Sequence, residues 1–163
     1  MHIAAQTYIM NTWPMQERPI LVVEDNARER ELIIAALTDH DLSRNLIGMA
    51  SGGEMLDFIG RRGPYGSRRA IPALVILDLD LTDMHGLEVL KAIRQDGELG
   101  AVPVVIFSGS DSALDAAVAR ELHADGFVVK PTDFNDLQTT VRSLAVFWAS
   151  QVRTSTSMGM GND

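Results

Sequence analysis

The chain has 163 residues, 46% of them apolar, which is material for one well-buried domain rather than two. Its 22 acidic side chains against 14 basic ones leave a formal charge of −8, which argues against long-range attraction to nucleic-acid phosphates or anionic lipid. Cysteine is absent, so disulfides, thiolate catalysis and Cys-based metal sites are excluded together.

Residues 1–18 lack periodicity and read as a flexible lead-in that contains Trp13 and, at Met15, an alternative start. They show neither a basic n-region nor an apolar h-region, so no signal peptide is expected. No apolar run approaches the roughly 20 residues that span a bilayer, and a cytoplasmic protein with no membrane or nucleic-acid partner is the simplest expectation. From Ile20 the pattern alternates. Ile20-Leu21-Val22-Val23 predicts a first strand, and Asn26 to Asp39, with Leu32, Ile33, Ala36 and Leu37 on one side, predicts a helix.

Leu46 to Ala50 predicts the second strand, and Leu74-Val75-Ile76-Leu77 the third. Between them Arg61 to Pro72, with Gly63-Pro64-Tyr65-Gly66, reads as a long surface loop whose four arginines form a solvated face. A helix is predicted over Gly86 to Arg94, a fourth strand over Val102 to Phe107 and a fifth over Gly126 to Val129. The last helix runs from Asp133 to about Val152, with Phe134, Leu137, Val141, Leu144 and Trp148 on one stripe. Val146, Phe147 and Trp148 cannot all face one core, since each residue turns the helix by about 100°. An apolar edge exposed there fits self-association or kinase docking. Residues 151–163 are small, polar and glycine-rich, and read as a disordered tail after a domain spanning 19–150. Short, continuous aliphatic strands alternating with helices predict a doubly wound α/β sandwich around a parallel sheet.

In such a sheet, ligands gather at the carboxyl ends of the strands. Those ends carry Glu24-Asp25, Asp78, Ser108 and Lys130, the last one of two lysines in the chain. Carboxylates this close repel unless a cation intervenes or one takes a proton, and an all-oxygen set suits Mg2+ rather than zinc. Asp78 is the candidate nucleophile for an aspartyl-phosphate, with Lys130 neutralising the phosphoryl group and Ser108 donating to it. The bland alternatives are that Glu24 and Asp25 cap the helix beginning near Ala27 and that Ser108 opens a turn.

Two families use this chemistry. Asp78-Leu79-Asp80-Leu81-Thr82 resembles the Asp-x-Asp-x-Thr signature of the haloacid dehalogenase-like phosphotransferases, which would make Asp78 nucleophile and Asp80 general acid. The order of the parts argues against it, because here the acidic pair precedes the nucleophile. The motifs "ILVVEDN", "LVILDLDLTDMHGLEVL", "VPVVIFSGS" and "ADGFVVKP" instead resemble the receiver domains of two-component response regulators, over roughly Pro19 to Trp148. That resemblance implies a flavodoxin-like (βα)5 sandwich with strand order 2-1-3-4-5. It also implies phosphorylation of Asp78 by a sensor histidine kinase and Mg2+ bound by Asp25, Asp78 and the Asp80 carbonyl, with Glu24 acting through water. Ser108 and Phe127 would be the switch pair acting on the surface of the fourth helix, fifth strand and fifth helix, and Lys130-Pro131 would be a cis peptide.

The Arg61–Pro72 insertion, "LDLDL", "IFSGS" and "AVFW" further resemble single-domain regulators that partner phytochromes, implying a bacteriophytochrome-type kinase, a homodimer and no DNA-binding output. Three positions depart from the usual receiver pattern: Asp80 for Asn, Thr82 for Pro and Gly109 for Ala. A phosphoacceptor, a small metal-dependent phosphatase and a degenerate receiver used for binding are the functional classes to separate.

Overall fold

Side-chain alternation along the strands decides which helices lie on which side of the sheet. The computed structural model describes residues 17–39, 45–68 and 70–159, with side chains as far as Trp148 in the last helix. The expectations for residues 1–16, Trp13 and Met15 included, for Arg69 and for the tail after Gly159 lie outside these residues. Strands β1 (Ile20–Val23), β2 (Leu46–Met49), β3 (Leu74–Asp78), β4 (Val104–Ser108) and β5 (Gly126–Val129) form one parallel sheet in the order β2-β1-β3-β4-β5. The helices are α1 (Ala27–Asp39), α2 (Gly52–Gly60), α3 (Gly86–Gln95), α4 (Ala113–Glu121) and α5 (Phe134–Gly159).

Leu21, Val23, Val75, Leu77, Val104 and Ile106 point to one face, where they meet Met55 and Phe58 of α2, Val89, Leu90 and Ile93 of α3, and Ala119 of α4. Their neighbours Ile20, Val22, Leu74, Ile76, Val105 and Phe107 point to the other, against Ile33, Ala36 and Leu37 of α1 and Leu137, Val141 and Ala145 of α5. Two-residue strand periodicity thus builds two cores from continuous aliphatic runs. The central strands β1, β3 and β4 are buried throughout, whereas β2 and β5, with one neighbour each, are largely half-exposed.

Several boundaries differ from the sequence expectation. β4 starts at Val104 because Pro103 has no N–H, although its carbonyl still accepts from Val75 at 2.9 Å. The last helix continues to Gly159, through the threonines and serines expected to be disordered, since no proline interrupts it. Phe134 is 40% exposed and lies beneath the Arg28 guanidinium, 4.4 Å from the ring centre, instead of joining the core stripe.

The insertion holds a 3-10 turn at Gly63–Tyr65, and its arginines are not one solvated face. The Arg68 guanidinium donates to the Phe58 carbonyl and, at 3.1 Å, to that of Ile59, and it stacks on the Phe58 ring at 4.6 Å. It thereby adds a second donor to the Phe58 carbonyl, which also accepts from the Arg61 N–H at 3.3 Å, and supplies one to that of Ile59 at the end of α2. Among the described residues there is no cis peptide, so Lys130-Pro131 is trans, one of the two forms that lie close in energy before proline. No described helix is long and apolar enough to cross a membrane.

Candidate functional site

β1, β3, β4 and β5 end side by side, and their terminal residues converge. Glu24 and Asp25 follow β1, and with Asp78 they bring one carboxylate oxygen each to within 4.8 Å of one another. Lys130 is set beside them by its backbone N–H, which donates to the Ser108 carbonyl at 2.7 Å and extends the β4–β5 pairing. Its ammonium lies 2.8 Å from Glu24 Oε1 and 3.2 Å from Asp78 Oδ1. Glu24, Asp25, Asp78 and Lys130 are therefore brought together, and Ser108 adjoins them through its backbone bond to Lys130. Glu24 (1% exposed), Asp78 (3%) and Ser108 (0%) are the buried polar residues of the described structure, so the pocket is where the fold tolerates desolvated charge.

A sixth participant was not foreseen. Glu29, in the first turn of α1, places Oε2 2.9 Å from Lys130 Nζ across 101 positions. Asn26 Oδ1 accepts from the Glu29 N–H at 3.1 Å and so caps α1. That replaces the alternative in which Glu24 or Asp25 does so. Helical spacing then returns Glu29 over the strand end one turn later. The signal in the sequence was an acid one turn beyond an acidic pair with a single lysine to serve all three.

Burial pushes the Glu24 carboxyl up to about 10, reinforced by the neighbouring Asp78 and Glu29 carboxyls, against the opposing pull of Lys130. Glu29 is shifted below the usual carboxylate range by the neighbouring Glu24 carboxyl and by Lys130, in spite of some desolvation. For Lys130, burial acts to lower the ammonium, but hydrogen bonds to Glu24 and Glu29 and the charge of Asp78 outweigh it and raise the group above the ordinary lysine value.

The loop after β3 is tied to its neighbours by three carboxylates. The Asp80 N–H donates to Asp78 Oδ1 at 3.0 Å, so this oxygen carries both the Lys130 and the backbone contact, and no described residue donates to Oδ2. Asp25 Oδ2 accepts from the Thr82 N–H at 2.9 Å, a donor that proline in this position would lack. Asp83 accepts from the Gly52 and Gly53 N–H groups at 3.0 and 2.9 Å, at the start of α2. The Asp80 side chain turns to the other side, where Oδ2 accepts from the Gly109 N–H at 3.0 Å. Ser108 Oγ accepts from the Ser110 N–H at 3.2 Å, so the hydroxyl does open a turn. Phe127 pairs with Ile106 and packs half-buried against the α2–α4 face.

The residues present fit a hard divalent cation. Three carboxylates without nitrogen or sulfur converge, and Glu24 Oε2 is buried with no hydrogen-bond partner.

A five-stranded doubly wound sheet with acids, a hydroxyl and a lysine on its carboxyl edge defines a class of phosphoryl-handling α/β proteins. Residues 20–142 match the "Response regulator receiver domain" family, and the chain belongs to that family. It is 34% identical over 129 residues to the probable methanogenesis regulatory protein FilR2 of Methanothrix harundinacea, covering 79% of this chain and 82% of that one. Identity to the response regulator Rcp1 of Synechocystis is 31% over 133 residues, covering 82% and 90%; a manganese-bound form of Rcp1 superposes with a TM-score of 0.76 over 81% of this chain and 94% of the other. The phosphorylated cyanobacterial phytochrome response regulator RcpA is 30% identical with a TM-score of 0.76, covering 83% of this chain and 96% of the other. The strand order 2-1-3-4-5 is that of these relatives, and the haloacid dehalogenase alternative finds no support. Asp80, its general acid, is engaged with Gly109 instead.

Proposed function

We propose that Asp78 accepts a phosphoryl group from a phosphohistidine of a sensor kinase and that the resulting charge resets the surface formed by α4, β5 and α5. The observation that carries this reading is Lys130 Nζ at 3.2 Å from Asp78 Oδ1 inside a cluster of three carboxylates. In the transfer Asp78 Oδ2 attacks phosphorus, the phosphorus–nitrogen bond breaks, and its electron pair returns to the imidazole. Asp25, Asp78 and the Asp80 carbonyl would hold Mg2+, with Glu24 acting through water, and the ion would supply charge neutralisation for the transferring group. The Asp80 N–H and Lys130 orient the acceptor carboxylate through Oδ1, which directs Oδ2 to the donor. Lys130 then pairs with the phosphoryl oxygens, and Ser108 donates its hydroxyl proton to one of them.

Phosphorylation replaces the single charge of Asp78 with nearly two, carried on strong acceptor oxygens, which draws Ser108 and Lys130 inward. Phe127, half-buried between β4 and the α2–α4 face, is positioned to follow Ser108 and shift the population of the output surface. Val146 and Phe147 on α5 are 52% and 61% exposed, which supports a homodimer through that helix. The likeness to RcpA supports a phytochrome-type kinase as partner, with the exchange taking place in the cytoplasm.

Acetyl phosphate with Mg2+ tests the reading. One acid-stable, hydroxylamine-labile phosphate per chain is expected, absent in Asp78→Asn. Repeated turnover of p-nitrophenyl phosphate would point to the phosphatase class, and neither reaction to a binding module.

A further inference from the structure

We propose that Asp80 is an internal anion that competes with the phosphoryl group for a donor of its own site. In the resting protein its carboxylate holds the Gly109 N–H, and an anion on Asp78 has to displace it. The inference rests on Asp78 being the acceptor.

The geometry is specific. Asp80 leaves the same turn as Asp78, tied to it by the bond from its own N–H to Asp78 Oδ1, and sends its side chain to the end of β4, where Oδ2 meets the Gly109 N–H at 3.0 Å. A methyl group placed on Gly109 would come within 3.2 Å of that same oxygen, so the two loops are in close contact here. Two donors stand at the end of β4. The Ser108 hydroxyl uses its oxygen to accept from Ser110 and keeps its proton to give, whereas the Gly109 N–H is already taken.

Electrostatics adds to the competition. A phosphoryl group puts between one and a half and two negative charges close to the Asp80 carboxylate in place of the single charge on Asp78, so the local excess grows. The nearby ammonium is already shared among Glu24, Glu29 and Asp78. Asp80 is exposed and free to swing into water, so the cost is one charge-assisted hydrogen bond. A neutral amide at this position would be repelled less and would release the N–H more readily. Asp80 is thus a positioning residue that sets how readily the pocket closes on an anion.

The test titrates trifluoroberyllate, a phosphoryl-shaped anion, with Mg2+ into the full chain, Asp80→Asn and Asp80→Ala, while following the Gly109 amide by 15N-resolved NMR. Before any anion is added, the Gly109 amide proton should lie at low field in the parent and move upfield in Asp80→Ala. Affinity should rise about tenfold in Asp80→Ala, the scale of one hydrogen bond to a charged group, and part of the way in Asp80→Asn, which keeps an acceptor oxygen without the charge. Unchanged affinity in both variants, or an unmoved Gly109 amide, overturns the inference. Failure of all three proteins to bind the anion, with the amide still moving in Asp80→Ala, overturns the phosphoacceptor reading itself and this inference with it.

Discussion

Lys130 Nζ lies 2.9 Å from Glu29 Oε2, so the lysine at the end of β5 is paired with α1 as well as with the strand-end acids. The contact links the first helix to the fifth strand through a side chain that is 11% exposed. It also gives the ammonium a partner outside the cluster of Glu24, Asp25 and Asp78.

Replacing Glu29 by Gln should lower stability by on the order of 1 kcal/mol, the range of a partly screened ion pair, with the denaturant slope unchanged. The same change should make phosphorylation of Asp78 more favourable, because Lys130 is released from one competitor. Urea unfolding and the steady-state level of acetyl-phosphate labelling check the two halves. A variant that is destabilised and also labels less would show Glu29 holding Lys130 in place rather than competing for it.

Asp83 ties the β3–α3 loop to the start of α2 through its carboxylate. Its carboxyl is held below the ordinary value, chiefly by the Gly53 N–H and further by that of Gly52, against a small desolvation. A depressed native pKa contributes stability above the unfolded value, near 3.9, and loses it as pH falls through the native one. Asp83→Asn should therefore cost a few tenths of a kcal/mol at pH 7, since solvent screens an exposed carboxylate, and the gap to the parent should narrow below about pH 4. Thermal unfolding at pH 7 and pH 3 measures it. A gap that stays constant would mean the carboxylate charge contributes nothing.

What the sequence could reveal tracks how local each cause is. Aliphatic runs such as Leu74 to Leu77 announce buried parallel strands by themselves, and strand ends are where their polar successors must gather, so Glu24, Asp25, Asp78, Ser108 and Lys130 were legible together. Glu29 was not, because an acid in the first turn of a helix looks like an ordinary dipole complement, and its partner is 101 positions away. Arg68 was misread for a related reason. Four arginines in a glycine-rich loop suggest solvent, and the chain gives no sign that one of them folds back on Phe58 and the end of α2. Asp80 could be flagged as unusual, but the direction of its side chain depends on how closely β3 and β4 bring their loops together.

Thr82 supplies a bond through its backbone and not its side chain, which makes its substitutions separable. Thr82→Ala keeps the N–H to Asp25 and should change stability by less than about 0.5 kcal/mol, as at most exposed positions. Thr82→Pro removes the donor from a carboxylate, worth about 1.5 kcal/mol or more, and recovers part of that, roughly 0.5 kcal/mol, by stiffening the unfolded chain. A net loss near 1 kcal/mol in metal-free buffer is expected from urea midpoints. Equal midpoints for the two variants would show that the Asp25 contact carries no net energy.

Gly86, the first residue of α3, bears on the acceptor from below. Its N–H donates to the Leu79 carbonyl at 2.9 Å, and a methyl group there would overlap the Asp78 carbonyl oxygen and come within 2.6 Å of Leu79 Cα. Both obstacles are backbone, and Asp78 is the last residue of a central strand buried on both sides, so neither can yield by turning a side chain. Gly86→Ala usually helps a helix by about 1 kcal/mol, but here overpacking of about 1–3 kcal/mol opposes that gain. The variant should be destabilised overall, by urea unfolding, and should label more slowly with acetyl phosphate because displacing Asp78 misaligns Oδ2 with the donor. A Gly86→Ala protein as stable as the parent, with unchanged labelling, would mean that α3 can move away from the strand end without disturbing the acceptor.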